Sequence, residues 1–330
     1  MAQLDLAFVL DCTVSMKKYI DAAKANIKRI VDKIVASEKR DVRLALIQYR
    51  DHFSPWREFD TVRVRDFTSS VLTMKSWLDV CKAVTEGNII DAPEAVADGL
   101  HELTNLTWRK DATKIAVLVC DAPPHGLGGD GDNYPKGCPR GYDPLKTVNR
   151  LATKEVVLYV AGCEPSVSAY KNFFTGLAYV TGGQYVPLAS SDNLATIIVC
   201  GAEEEMSLEY LMKTEVGAAI KQLQDSGVEF DDDLMELHLS AEMARKGITT
   251  KKLRRNKASL GDVSDKAKAI AQMADLAEYR RTDLRYVRPA SVASAAVGDV
   301  FDVEESEIDY AQVQRMVQKS KMRNKALFED

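Results

Sequence analysis

The stretch Leu4-Asp-Leu-Ala-Phe-Val-Leu10-Asp11-Cys-Thr13-Val-Ser15 decides how the rest of the chain is read. Leu4 to Leu10 is a predominantly apolar run of strand length that ends at Asp11. Met16, Ile20, Ala23, Ile27, Ile30, Val31 and Ile34 then recur at spacings of three and four, the stripe of an amphipathic helix. A strand passing straight into a helix is the first unit, and similar units follow. Val42 to Tyr49 is a second strand, Thr61 to Val64 a short edge strand, and Val71 to Val84 a helix. Pro93 to Leu103 reads as a helix ahead of the buried central strand Lys114-Ile-Ala-Val-Leu-Val-Cys120. Val156 to Ala161 and Gln184 to Pro187 are the remaining strands, separated by a helix near Ala169 to Val180. This alternation predicts an α/β fold: a doubly wound, mostly parallel sheet covered on both faces by helices.

The chain is 330 residues long, enough for about two domains of roughly 150 residues. With 46% hydrophobic and 28% charged residues it is an ordinary globular composition, neither disordered nor low-complexity. Its 44 Lys plus Arg against 49 Asp plus Glu give a net charge of −5, which argues against binding by phosphate neutralisation, so no nucleic-acid partner is expected. No run approaches the length of a membrane span, and Met-Ala-Gln-Leu-Asp-Leu lacks the basic and apolar regions of a secretory signal, so a cytoplasmic protein is expected. Cys12, Cys81, Cys120, Cys138, Cys163 and Cys200 are widely spread with no CxxC pair, and read as reduced thiols.

Residues 201–330 differ in kind. They hold 20 Lys plus Arg and 25 Asp plus Glu, and so supply the whole net charge. Strand patterns nearly vanish there. Leu208, Leu211, Met212, Val216, Ile220 and Leu223 mark one amphipathic helix, Leu234, Leu237, Ala241 and Ala244 a second, and Ala267, Ile270, Ala271 and Ala274 a third. The division expected is a sheet domain over 1–200 and a helical, charged C-terminal extension over 201–330, with a linker near 288–297. Residues 228–330 are expected to order fully only with a partner. The basic run Lys251-Lys-Leu-Arg254-Arg255-Asn-Lys257 reads as a solvated helix face or loop.

Asp11, Thr13 and Ser15 place a carboxylate and two hydroxyls two residues apart on a turn entering a helix. Three hard oxygens directed into one space suit Mg2+ or Mn2+ better than Zn2+. The same residues also suit helix capping, where a side-chain oxygen accepts from the free amides of the first turn. Two further loops bear on the choice. Asp91-Ala-Pro-Glu94-Ala precedes a helix, and Asp121-Ala-Pro-Pro-His125-Gly follows the most apolar strand. Each carboxylate then falls at the carboxyl edge of the sheet, where ligands bind in open α/β folds.

With these residues in place, the chain resembles the von Willebrand factor A-like domain. That family's metal-ion-dependent adhesion site uses an Asp-x-Ser-x-Ser strand end, a Thr or Asp of a second loop, and an Asp after the central strand. Asp11, Thr13 and Ser15 match the first motif with Thr in place of Ser, Asp121 matches the last, and Asp91 stands for the second loop. The sequence is closest to A-like domains linked to alpha-kinases, through Asp11-Cys-Thr13, Tyr49-Arg-Asp-His52 and Asp121-Ala-Pro-Pro-His-Gly126. The resemblance covers roughly residues 3 to 200. It implies a Rossmann-like fold and a metal site of Asp11, Thr13, Ser15, Asp91 and Asp121 holding Mg2+, with Mn2+ and Ca2+ as further candidates.

Other chemistries fare worse. Gly126-Leu-Gly128-Gly-Asp-Gly131 fits GxGxxG but opens no helix and is followed by Pro135 and Pro139, so it is no dinucleotide site. No GxSxG, HExxH or GxxxxGK[ST] motif occurs. His125 reads as a rim residue orienting the loop. No catalytic residue is therefore assigned. The function expected is a non-enzymatic interaction module in which Mg2+ at the sheet edge binds an Asp or Glu of a protein partner within a larger assembly. The rival readings are a structural subunit with a vestigial site and a divergent Mg2+-dependent phosphotransferase related to alpha-kinases.

Overall fold

β1 (Gln3–Asp11) is the axis of the molecule, paired in parallel with β2 (Asp41–Tyr49) on one side and β4 (Thr113–Cys120) on the other. Both of its faces are covered, so eight successive residues from Leu4 to Asp11 are buried. The computed structural model describes residues 3–38, 41–52, 61–83, 92–128, 131–217, 219, 232–282 and 298–323. β5 (Val156–Cys163) and β6 (Tyr185–Leu188) extend the sheet in parallel beyond β4. The edge strand expected at Thr61 is β3 (Val62–Thr68), antiparallel to β2. The strand order is β3-β2-β1-β4-β5-β6. The strands are added outward in opposite senses from β1 and from β4, so a crevice opens between the carboxyl ends of these two parallel strands.

Helices cover both faces, as the alternation predicts. Against one face lie α1 (Lys17–Glu38), α2 (Val71–Asp79) and α6 (Leu194–Leu211), around a core that includes Leu6, Phe8, Met16, Leu46 and Ile198. Against the other lie α3 (Val96–Leu103), α4 (Pro144–Thr153) and α5 (Lys171–Val180), around Val9, Tyr49, Leu118, Leu151 and Phe174. α3 can sit on the strands because Gly99 faces them: a Cβ there would stand 2.8 Å from Tyr49 Cδ1 and 3.0 Å from Val9 Cγ1.

The C-terminal extension is helical, as expected, through α7 (Asp232–Lys246), α8 (Asp265–Ala271), α9 (Leu276–Tyr279) and α10 (Tyr310–Arg323). It also contains strands that the sequence does not announce: β7 (Thr249–Arg255), β8 (Ala258–Ser259) and β9 (Phe301–Glu307) form an antiparallel sheet in the order β8-β7-β9. The basic run is therefore mostly β7, not a helix face. Its cations face acids: Arg254 bonds Asp302, Arg255 lies 2.7 Å from Asp299, and Lys252 lies 3.1 Å from Asp309. Periodicity missed β7 because Lys and Arg are poor strand formers in isolation. Cross-strand pairing with Asp and Glu supplies what propensity lacks.

The extension returns to both faces of the main sheet. Leu253 and Phe301 join the first core, while Ile270, Met273, Leu276 and Tyr279 join the second. Residue 200, the expected boundary, falls inside α6. The expected linker at 288–297 lies outside the described residues.

Candidate functional site

β1 ends on Asp11, whose carboxylate is buried and organises the next turn. Its Oδ1 accepts from Thr13 N at 2.9 Å and from Thr13 Oγ1 at 2.7 Å, and Thr13 Oγ1 lies 3.1 Å from Ser15 Oγ. Three of the predicted ligands thus meet through their oxygens. Thr13 stands at the cap position of the turn Val14–Met16 but makes no side-chain capping bond. Its hydroxyl turns to the carboxylate instead, which disfavours the capping reading of that residue.

Asp121 follows the last residue of β4 and reaches the same space. Burial raises its carboxyl above the ordinary value, against the hydrogen-bonded Ser15 hydroxyl, which pulls it down. Asp91 lies outside the described residues. The loop's second acid, Glu94, is described and buried. Its backbone runs beside the Asp121 loop, with Glu94 N donating to Pro123 O at 2.9 Å and a parallel bridge to Pro124.

Tyr49, at the end of β2, registers this convergence. Burial first, and then the carboxylates of Asp11, Glu94 and Asp121 among its neighbours, push its hydroxyl well above the usual range. That hydroxyl is fully buried and has no hydrogen-bond partner among the described residues. Asp11, Thr13, Ser15 and Asp121 together offer two carboxylates and two hydroxyls, an oxygen donor set, with the buried Cys120 thiol among the other neighbours of Tyr49. Such a donor set fits a hard divalent cation and does not fit Zn2+.

A second histidine-centred cluster borders the site. His125 Nε2 lies 2.7 Å from Asp51 Oδ1 and Nδ1 lies 2.8 Å from Asp132 Oδ1. Burial alone pulls its pKa down, but hydrogen bonds to Asp132 and Asp51 outweigh this and push it up to about 9. Charged His125 therefore clasps the loop after β4 to the end of β2. Gly126, Gly128 and Gly131 all take positive φ, and the next helix among the described residues begins only at Pro144, so the GxGxxG pattern does not open a described helix. Asp132 also accepts from the backbone of Gly126 and Tyr134, which commits it to shaping that loop.

A model of the von Willebrand factor type A domain matches residues 5–197, more than half of the chain. The chain belongs to this family. As a von Willebrand factor type A domain protein it is similar to the alpha-protein kinase vwkA of Dictyostelium discoideum, at 30% identity over 144 residues, 42% of this chain and 22% of the kinase. It is also similar to the putative ariadne-like RING finger protein R811 of Acanthamoeba polyphaga mimivirus, at 22% identity over 209 residues, 58% of this chain and 19% of that protein. The chain thus spans about a fifth of the length of these relatives. Among solved structures, it resembles proximal thread matrix protein 1 of the mussel byssus at a TM-score of 0.41 and 17% identity, covering 61% of this chain and 46% of that one. It also resembles the pilus adhesin SpaC of Lactobacillus rhamnosus GG at a TM-score of 0.44 and 12% identity, covering 63% of this chain and 30% of that one. No helix among the described residues is long and apolar enough to cross a membrane.

Sequence reasoning missed Tyr49 and Glu94 as parts of this site. Tyr49 reads as an ordinary strand residue, and only its register opposite Asp11 gives it another role. Glu94 was visible within Asp91-Ala-Pro-Glu94.

Proposed function

We propose that this von Willebrand factor type A domain protein is a non-enzymatic interaction module. Asp11, Thr13, Ser15 and Asp121 would hold Mg2+ at the carboxyl edge of the sheet, with Asp91 as a further candidate ligand. The observation that carries this reading is the hydrogen-bonded run from Asp11 through Thr13 and Ser15 to Asp121 at the carboxyl edge of the sheet.

Bound Mg2+ would supply an open coordination position able to take an outside carboxylate. The protein's own residues do the rest. Asp11 lies deep and is held by Thr13, so it is preorganised as the inner ligand. Ser15 lies on the exposed side of the turn. Val14, between the two hydroxyl residues, is 48% exposed and offers an apolar rim to whatever docks above the ion. A partner's Asp or Glu would complete the coordination shell there, and an intracellular multi-protein assembly is the proposed setting. The kinase activity named for the Dictyostelium relative is not carried over, because the match spans so little of that protein.

The test is affinity capture from cell extract on the immobilised full chain, with Mg2+ or with chelator, beside the Asp11→Ala variant. Partners retained with Mg2+ and lost in both other arms are expected. An identical partner set in all three arms would overturn the reading.

A further inference from the structure

The loop after β4 brings Cys138 to Asp98 in the first turn of α3 and to His52 beyond the end of β2. We infer that His52, Asp98 and Cys138 form a second cation site, distinct from the oxygen site at Asp11, with the ligand chemistry of Zn2+.

Three observations support it. The candidate ligand atoms of the three side chains all lie within 4.8 Å of one another. His52 Nε2 is 3.1 Å from Asp98 Oδ2, and Cys138 Sγ is 3.0 Å from the same oxygen. Ligands of a tetrahedral zinc ion stand roughly 3.3 to 3.6 Å apart, given Zn–N and Zn–O near 2.0 to 2.2 Å and Zn–S near 2.3 Å.

Next, His52 and Asp98 are 5% and 1% exposed, yet His52 Nε2 and Asp98 Oδ1 have no hydrogen-bond partner among the described residues. His52 Nε2 and Asp98 Oδ2 are close enough to bond but misaligned for it. Buried polar groups are ordinarily satisfied; here the Cys138 thiol donates to Asp98 Oδ2, and loss of that one proton leaves the three ligand atoms converging with room for a cation between them.

The surroundings of the sulfur point the same way. Cys138 Sγ accepts from the backbone N–H of Arg140 at 3.3 Å and is also hydrogen-bonded by the backbone of Tyr142. Amides directed at a sulfur stabilise its anionic form, as outer partners do around metal ligands. Without an ion, burial and the Asp98 carboxylate push the thiol up to about 12. Binding is a substitution at sulfur: the S–H bond breaks, the S–metal bond forms, and the proton leaves to solvent.

A neutral imidazole, a carboxylate and a thiolate then balance the two charges of the ion. Arg140 Nη1, 3.4 Å from Asp98 Oδ1, is the opposing charge, but its side chain is 51% exposed and can swing into water. A mixed N, O and S set selects Zn2+ over Mg2+, and three protein ligands leave a fourth position for water. The ion would pin the loop after β4 to β2 and α3, beside the clasp made by His125.

The test uses the untagged full chain, saturated with Mg2+, in equilibrium dialysis against Zn2+ and in optical titration with Co2+. Tight uptake of a single Zn2+ and a thiolate-to-Co2+ charge-transfer band are expected for the wild type and for Asp11→Ala. Cys138→Ser should abolish the band, and both it and His52→Gln should weaken Zn2+ binding by more than the roughly 10- to 100-fold that outer partners contribute. Cys12→Ser is the control for the buried thiols of Cys12 and Cys81, whose sulfurs lie 2.8 Å apart, and should keep the band. Circular dichroism checks folding, and Cys138→Ser, at a half-buried loop position, keeps the test decisive if His52→Gln does not fold. No uptake by the wild type, or uptake unchanged in Cys138→Ser, would overturn the inference. Failure of the Mg2+ reading would show separately, as unaltered Mg2+ binding by Asp11→Ala.

Discussion

A carboxylate at the end of a buried strand is costly to ionise unless a cation or a set of donors meets it. Asp11 has Thr13 as donor, and Asp121 nearby is already pushed toward its neutral form by burial. Removing one acid therefore relieves repulsion among those that remain. Asp11→Ala is expected to abolish Mg2+ binding in calorimetry while shifting the urea midpoint little. Thr13→Ser keeps the coordinating oxygen and should bind Mg2+ almost normally. Thr13→Val keeps the shape and loses the ligand, so it should not bind. Tolerance of Val would return Thr13 to a packing role. Gly99 offers a different kind of test. The added methyl of Gly99→Ala would meet Tyr49 and Val9 at close to 3 Å or less, and overpacking of that sort costs about 1 to 3 kcal/mol in urea unfolding. Because Tyr49 also borders the proposed metal site, this variant should weaken Mg2+ binding as well.

Among the elements, the loop between β4 and α4 is held by charge more than by apolar contact. His125 between Asp51 and Asp132 has its pKa raised from 6.5 to about 9. A raised folded-state pKa means that the protonated form stabilises the fold. The contribution is complete below about pH 6.5 and is lost as pH rises through 9. Urea stability of the wild type should therefore fall between these limits by on the order of 2 kcal/mol, while His125→Gln should start lower and lose less. An equal slope in both proteins would show that His125 does not clasp the loop. The sequence placed His125 as a residue orienting this loop, since it stood alone beside the predicted site. It could not show which acids His125 would meet: Asp51 is 74 residues away and comes into reach only when β2 and β4 flank β1.

Across the whole molecule, part of the acidity of the extension is paired internally. Glu204, Glu205 and Glu209 of α6 are buried against Arg315, Lys319 and Arg323 of α10. Burial raises the Glu205 carboxyl to about 7 despite Lys319, whereas Lys319 and Arg323 together hold Glu209 well below its ordinary value. Arg315 also bonds Tyr159 Oη at 2.9 Å and the carbonyl of Gly182 at 3.1 Å, tying α10 to the sheet domain. Breaking such a buried set by removing one partner costs about 3 to 5 kcal/mol, so Arg315→Ala should lower thermal stability sharply. Limited proteolysis gives the second test. The sequence alone predicts early cleavage between Lys251 and Lys257, but Lys251 to Arg255 are paired with β9 in β7, and that stretch should resist trypsin until the fold opens, leaving Lys257 in the exposed turn as the one accessible site of the run. Rapid cutting within β7 in the intact monomer would show that the extension does not dock.

What the sequence determined by itself is the sheet domain and the cluster of side-chain oxygens at its edge that we propose as ligands. Strand and helix periods are local, and Asp11, Thr13 and Ser15 are neighbours in the chain, so spacing alone brings them together. Tertiary structure decided the rest. Tyr49 joined the site through the register of β2 against β1, and His52, Asp98 and Cys138 met through two loops and the first turn of α3. The basic run became a strand because β9 brought it acids from 50 residues away. Each of these depends on contacts between distant segments, and the pattern along a chain carries no record of which distant charge or face a residue will meet.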